Sequence, residues 1–144
     1  MLARIEMLGG RYAEAITLWT ELSKEKDGDE VRNNLIWSQL MNDRLDADSE
    51  RNAFEMVNAS QVSTAALHTA AMVLLERGRL VDAAAYASQR QARHGTEVDD
   101  AQWLFRARLL QLLGFEEEAL AAYAKVGNDD NDLVALRKRW KGKR

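Results

Sequence analysis

The feature that most constrains this chain is a short pattern that occurs three times at regular intervals. Each copy begins with a glycine and has an alanine five residues later; the copies are Gly10 with Ala15, Gly78 with Ala83, and Gly114 with Ala119. The interval between the first two glycines is nearly twice the interval between the last two. A period of about 34 residues is typical of helix–turn–helix units that stack into solenoids, and the two intervals are close to two periods and one period.

The residues around each glycine have the periodicity of amphipathic helices. Leu67, Ala70 and Leu74 precede Gly78 at helical spacing, for example, and Trp19, Trp37 and Trp103 fall on the predicted packing faces of their helices. Glycine ends a helix readily because it adopts the left-handed conformation without a steric penalty. The small alanine lets the second helix approach the first. Each helix pair then leaves an apolar face that the next pair covers.

These residues resemble the repeats of the tetratricopeptide (TPR) family. Gly10, Tyr12, Ala15 and Trp19 match one repeat, and Ala3, Ala71 and Ala107 match the small residue of the family's first helix. The resemblance implies an all-α fold, a right-handed α-solenoid of about four TPR-like helix–turn–helix pairs plus a C-terminal capping helix, in a single domain over residues 1–144. The predicted parts are pairs at about 1–26, 30–59, 62–94 and 98–126, a capping helix at 131–140 and a basic tail at 141–144.

The second pair departs from the pattern. Counting one full period onward from Gly10 gives Arg44, and the expected small residue falls on Ser49. We expect Ala53, Phe54 and Val57 to replace the usual apolar trio one helical turn later, with a longer connection at 45–50. The loop before this pair is predicted at 26–29, and Thr96 is the predicted N-cap of the fourth pair.

Charge is distributed unevenly along the chain. The sequence has 20 Lys and Arg against 23 Asp and Glu, and six of the basic residues lie after Leu136, so residues 1–136 carry a net charge of −9. Such an acidic body disfavours nucleic-acid binding. The basic residues of the tail offer contact with nucleic acid, an anionic membrane or an acidic partner; they are Arg137, Lys138, Arg139, Lys141, Lys143 and Arg144. The interpretation that we favour is a helix end whose dipole prefers cations, with Trp140 docked on the last repeat.

No motif in the sequence indicates chemistry. The chain lacks cysteine, its two histidines lack metal-ligand spacing, the Asp27-Gly28-Asp29 stretch lacks the later ligands of a calcium loop, and no nucleophile motif occurs. We therefore predict no metal, no cofactor and no catalysis. No apolar run is long enough for a membrane span, and no signal peptide is visible, which predicts a cytoplasmic protein. Met1 falls inside the first predicted helix, as in a fragment of a larger protein or in a repeat with a short first helix.

The resemblance implies that the first helices of the pairs line a concave groove. Helical periodicity places eight predicted partner-binding residues there: Arg4, Asn34, Ser38, Asn42, His68, Met72, Arg108 and Gln111. Amides and guanidinium groups suit peptide backbone and carboxylates, and methionine adapts to varied apolar side chains. The carboxylate clamp of the chaperone-binding members is not reproduced.

We therefore expect a non-catalytic scaffold or adaptor that binds a peptide or protein segment. The alternatives are a TPR module of a larger enzyme or of a secretion or assembly protein, and nucleic-acid contact through the basic tail. A solvated groove, with binding by the convex side or an end, is a further alternative, and exposed ends of the stack would allow self-association.

Overall fold

The computed structural model describes residues 2–25, 28–59 and 61–143, and within these ranges every regular element is an α-helix. The all-α prediction is therefore confirmed. The helices are α1 (Leu2–Leu8), α2 (Tyr12–Glu25), α3 (Asp29–Met41), α4 (Ala47–Val57), α5 (Thr64–Glu76), α6 (Leu80–His94), α7 (Asp100–Leu112), α8 (Glu116–Ala124) and α9 (Asn131–Lys141). Met1, Arg144 and two residues of the predicted loop, Lys26 and Asp27, lie outside the described residues.

The helices form two compact units, one that ends at Tyr86 and one that begins at Ala87. In the first unit, α2 packs against α1 and α3, while α3 packs against α4 and α5, and α4 also contacts α5. Trp19 is fully buried at the centre of a cluster with Ala3, Ala15, Val31 and Leu35. In the second unit, α7 contacts both α8 and α9.

The same turn ends four of the helices. Gly10, Gly78 and Gly114 have φ values of 77°, 81° and 88°, as the sequence predicts. Each donates its amide to the carbonyl three residues back, and the following amide bonds the carbonyl five residues back. The fourth copy uses Asp43, whose φ is 55° and whose turn makes the same two bonds. A left-handed residue at this place satisfies carbonyls that the helix end would leave unpaired.

Asp43 explains the irregular second pair. It lies one residue before the position that a full period from Gly10 would give, and the next buried small residue, Ser49, follows it by six residues instead of five. Ser49 is fully buried like Ala15 and Ala83, and its hydroxyl donates to Gln39 Oε1 at 2.8 Å. Ser49 keeps the position that the period assigns to it, and Ala53 is also fully buried, while Phe54 and Val57 are partly exposed.

Side-chain caps set where several helices begin. Asp46 and Ser49 form a reciprocal capping box at the start of α4, so the connection spans 42–46 instead of the predicted 45–50. Asp99, not the predicted Thr96, caps α7 and accepts from Gln102 N at 3.0 Å. Its carboxylate also accepts hydrogen bonds from both Nη atoms of Arg90, at 2.9 and 2.6 Å. This arginine, with a smaller contribution from the Gln102 amide, lowers the pKa of Asp99 to about 2.

Candidate protein-binding surface

Two side-chain contacts join α1, α3 and α5 in the first unit. Arg4 on α1 forms an ion pair with Glu30 on α3. Trp37 on α3 contacts His68 on α5, with 5.6 Å between ring centroids and an angle of 44° between the planes. Glu30 and Trp37 are seven residues apart, so they lie on the same side of α3. The two contacts therefore place side chains of α1, α3 and α5 on one surface.

We define this surface, the first-helix face, as Arg4, Glu30, Asn33, Trp37, Met41 and His68. The four members on α3 follow each other at three- or four-residue spacing and share one stripe of the helix. The side chains of Arg4 and Glu30 are 52% and 63% exposed, and the other members are partly exposed. The surface therefore offers groups of three kinds that are at least partly accessible: a paired charge, a thioether and two aromatic rings.

The chemistry of the first-helix face suits a polypeptide better than a single small molecule. Trp37 and His68 present apolar ring faces with a polar edge, which bury area at a small cost in conformational entropy. The Met41 thioether adapts to varied side chains. Arg4 and Glu30 neutralise each other, so the face carries no strong charge of either sign.

The structure places two of the predicted groove residues, Arg4 and His68, on the first-helix face. It corrects the other two positions predicted within α3. Asn34 is only 8% exposed and Ser38 is fully buried, while their neighbours Asn33 and Trp37 reach the surface. The prediction took its positions from helical periodicity within α3, and on this helix it was one residue out of register. The helix ends at a left-handed turn at Asp43, one residue before Arg44, which lies one period after Gly10.

Met72 is also not a surface residue. It is fully buried, as are the neighbouring residues Val73, Leu74 and Leu75 of α5. Because α5 is covered along most of its circumference, a helical-wheel argument that assumes one apolar stripe misplaces its exposed side. Asn42 is partly exposed and caps the C-terminus of α3, where its backbone amide donates to Ser38 O at 2.9 Å.

The predicted groove residues of the second unit hold its helices together. Gln111 Nε2 donates to the carbonyls of Trp140 and Lys143, at 2.9 and 2.7 Å. Its Oε1 accepts from Tyr123 Oη and from Arg108 Nη1. Arg108 is only 6% exposed and lies over the Trp140 ring, with 5.4 Å between the guanidinium carbon and the ring centroid. Both predicted binding residues therefore act in packing α9 against α7 and α8.

The basic tail contains residues that pack against the second unit and residues that are exposed. Trp140 is fully buried, which agrees with the docked interpretation of this residue. Arg137 donates to the Val126 carbonyl and to Asn128 Oδ1, and Arg139 is partly buried. Lys138, Lys141 and Lys143 are exposed, whereas Arg144 lies outside the described residues. Only lysines among the described basic residues of the tail thus have largely exposed side chains.

The tryptophans also differ from their predicted common role. Trp19 is fully buried, but Trp37 and Trp103 keep part of their surface exposed. Trp103 carries two cations over its ring, Arg106 at 5.2 Å and Lys125 at 4.8 Å. The sequence analysis assigned Trp37 to the core, whereas the structure places it on the first-helix face.

No three His, Asp or Glu side chains in the described ranges come close enough together to hold a metal ion. No helix in the part of the chain that the structure describes is both long enough and apolar enough to cross a bilayer.

Comparison with family models, with curated proteins and with solved structures gave no match to this chain. The TPR resemblance therefore continues to rest on the residues of the sequence, and it stays a prediction.

Proposed function

We propose that this chain is a non-catalytic binding module that holds a peptide or protein segment on its first-helix face. The observation that carries the proposal is the side-by-side placement of α1, α3 and α5 through the Arg4–Glu30 and Trp37–His68 contacts. A segment lying across these helices would contact all three first helices at once. Rigid aromatic anchors at the centre of a neutral surface are typical of protein interfaces.

The proposal includes an α-solenoid of TPR-like pairs. Its support is the recurrence of one turn at Gly10, Asp43, Gly78 and Gly114, together with a buried small residue after each turn. Identical turns and close approaches repeat the same relation between consecutive helices, which is how solenoids generate an extended binding surface.

A binding role also fits the acid–base character of the chain. Glu50 accepts from Arg79 and Arg77 at 2.6 and 3.1 Å, and these bonds hold its pKa below the ordinary value. The pKa of Asp99 is lowered too, to about 2, by Arg90. A general acid at neutral pH needs a carboxyl group whose pKa is raised. Both groups shift in the opposite direction and serve the contacts between helices.

The experiment is affinity capture with matched tryptophan variants. The wild-type chain, Trp37→Ala, His68→Ala and Trp103→Ala are immobilised, and retained proteins are identified by mass spectrometry. Trp103 is the control because it is also partly exposed but lies in the second unit. We expect at least one partner that wild type and Trp103→Ala retain and that both first-helix-face variants lose, by about tenfold or more in affinity.

Retention of the same partners by Trp37→Ala and His68→Ala would contradict the proposal. So would a partner lost only when Lys138, Lys141 and Lys143 are replaced by alanine, which would instead favour the tail. Point variants are preferable to deletion of residues 137–144, because Trp140 is part of the packed core.

A further inference from the structure

The first unit contains a second concave feature that the proposed function does not use. A cleft of about 310 Å³ lies between the end of α2, the length of α3 and the start of α4. Its volume is within the range of about 300–1,000 Å³ that is usual for ligand sites. From α3 it receives Val31, Leu35 and Gln39, which follow one another at four-residue spacing. We call this feature the α2–α4 cleft.

The α2–α4 cleft and the first-helix face lie on different sides of α3. Leu35, at the centre of the cleft stripe, and Trp37, on the first-helix face, are two residues apart, which corresponds to about 200° around a helix. A ligand in the cleft would therefore not cover Trp37 and His68. Variants on the two surfaces can be tested independently, and either proposal can fail without the other.

The charged groups of the α2–α4 cleft are compensated by one another or by neighbouring side chains. Arg51 pairs with Asp48 at 2.9 Å, and Arg32 lies 3.4 Å from Glu55 and 3.7 Å from Asp29. Asp46 is engaged by the capping box with Ser49. Among the described residues, the lining contains two arginines and two aspartates, whose formal charges cancel. An ionic ligand would have to displace these pairs, whereas an uncharged polar ligand would not.

Two carboxamides in the cleft keep hydrogen-bonding capacity. Gln39 uses its Oε1 to accept from Ser49, which fixes the side chain and leaves its Nε2 as a donor. Among the residues that the structure describes, none pairs with the carboxamide of Asn52, which is partly buried. A carboxamide has the same donor and acceptor groups as a peptide unit and can pair with one in both directions. The buried side chains of Val31 and Leu35 add an apolar wall beside these amides.

We propose that the α2–α4 cleft binds a short, uncharged and extended stretch of polypeptide. Gln39 and Asn52 bond its backbone, and one of its apolar side chains packs against Val31 and Leu35. This is a binding site additional to the first-helix face. Its ligand is recognised by peptide groups and one apolar contact, with no contribution from charge.

The test begins with a library of short random peptides displayed on phage and selected against the wild-type chain. Enriched peptides are synthesised, and their affinities are measured by fluorescence anisotropy for wild type, Asn52→Leu and Asn33→Leu. Asn33→Leu is the matched control because it makes the same change on the first-helix face. We expect a class of peptides that loses about tenfold or more in affinity with Asn52→Leu and less than about twofold with Asn33→Leu.

Two measurements keep the outcome decisive. The affinity of this class should change by less than about twofold between low and high salt, because no charge is recognised. In nitrogen-15 NMR spectra of the wild-type chain, the side-chain amide signals of Gln39 and Asn52 should shift on peptide addition. These spectra need no variant, so the test holds even if Asn52→Leu does not fold. The proposal is overturned if no peptide is enriched, if affinity depends steeply on salt, if Asn33→Leu weakens binding equally, or if the two amide signals do not move.

Discussion

The ring of Trp37 on α3 lies against the ring of His68 on α5, with 5.6 Å between their centroids. This contact shows which side of α3 belongs to the surface shared with α5. It lies beside the buried positions Asn34 and Ser38, so the rotation of a single helix by one residue decides which side chains a partner would meet.

The rate of thiol labelling of single cysteines should distinguish the partly exposed side of α3 from its buried side. The natural chain contains no cysteine, so each substitution gives one reporter. Asn33→Cys, at a partly exposed position, should react with a maleimide in the native protein without unfolding. Ser38→Cys replaces a fully buried residue of similar size and should react at least about tenfold more slowly, since reaction requires local opening. Equal labelling rates in the native protein, with equal rates also in urea, would show that the register of α3 is different.

Enlarging the small buried residues should destabilise the first unit. Ala15 and Ser49 are fully buried where a second helix approaches the first. Ala15→Leu and Ser49→Leu should each lower the free energy of unfolding by about 1–3 kcal/mol through overpacking. Ala13→Leu is the control, because Ala13 is exposed on the same helix as Ala15, and it should change stability by less than about 0.5 kcal/mol. Urea melts give these values, and wild-type stability of Ser49→Leu would refute the close approach.

A side chain at Gly78 should be costly for reasons of backbone alone. Its φ is 81°, and no atom lies within 4 Å of where a Cβ would be. Gly78→Ala should therefore lose about 1–2 kcal/mol from left-handed strain without a clash. Gly142 has a φ of −75°, so Gly142→Ala should be neutral or slightly stabilising. Thermal melts of both variants give the comparison. A loss of equal size in both variants would point to packing as the cause.

We expect Arg108 to stabilise the fold of the second unit. Its Nη1 donates to Gln111 Oε1 at 2.9 Å, and its guanidinium covers the Trp140 ring. Arg108→Ala should cost about 2 kcal/mol, since it removes a charged hydrogen bond and a cation–π contact. Arg106→Ala, which removes a cation–π contact over the partly exposed Trp103, should cost less than about 1 kcal/mol. Hydrogen exchange in α9 should rise only in the first variant; unchanged exchange there would contradict the assigned role.

The Arg90–Asp99 pair should make stability depend on acid pH. Folding lowers the pKa of Asp99 from 3.8 to about 2, so the folded protein binds fewer protons than the unfolded chain between these values. The stabilisation is present above the higher pKa and is lost as the pH falls through the lower one. Because the Asp99 side chain is 30% exposed, screening reduces the contribution to about 1–2 kcal/mol at neutral pH.

Asp99→Asn provides the comparison for that pH dependence. The amide oxygen can still cap α7, but the group no longer titrates. The difference in unfolding free energy between wild type and Asp99→Asn should shrink as the pH falls from about 4 to about 2. A difference that stays constant over this range would mean that the pair does not contribute to stability.

Much of the local structure was predictable because it depends on neighbours in the sequence. Gly10, Gly78 and Gly114 end helices in the left-handed conformation, and their φ values confirm it. Trp140 is fully buried in its unit, in agreement with the favoured interpretation of the basic helix end. Asp43 escaped notice because aspartate adopts positive φ less often than glycine, so composition gave a weak signal.

The sequence by itself determined that the chain is helical, that helices end before Gly10, Gly78 and Gly114, and which small residues follow these turns. These properties follow from periodicity and from glycine's backbone freedom. Tertiary structure alone decided which side of each helix is exposed. Burial depends on what packs against a helix from all directions. The packing of neighbouring helices covers Met72 and Arg108 and leaves Trp37 partly exposed. It also brings residues of three helices together in the α2–α4 cleft. No periodicity within one helix contains that information.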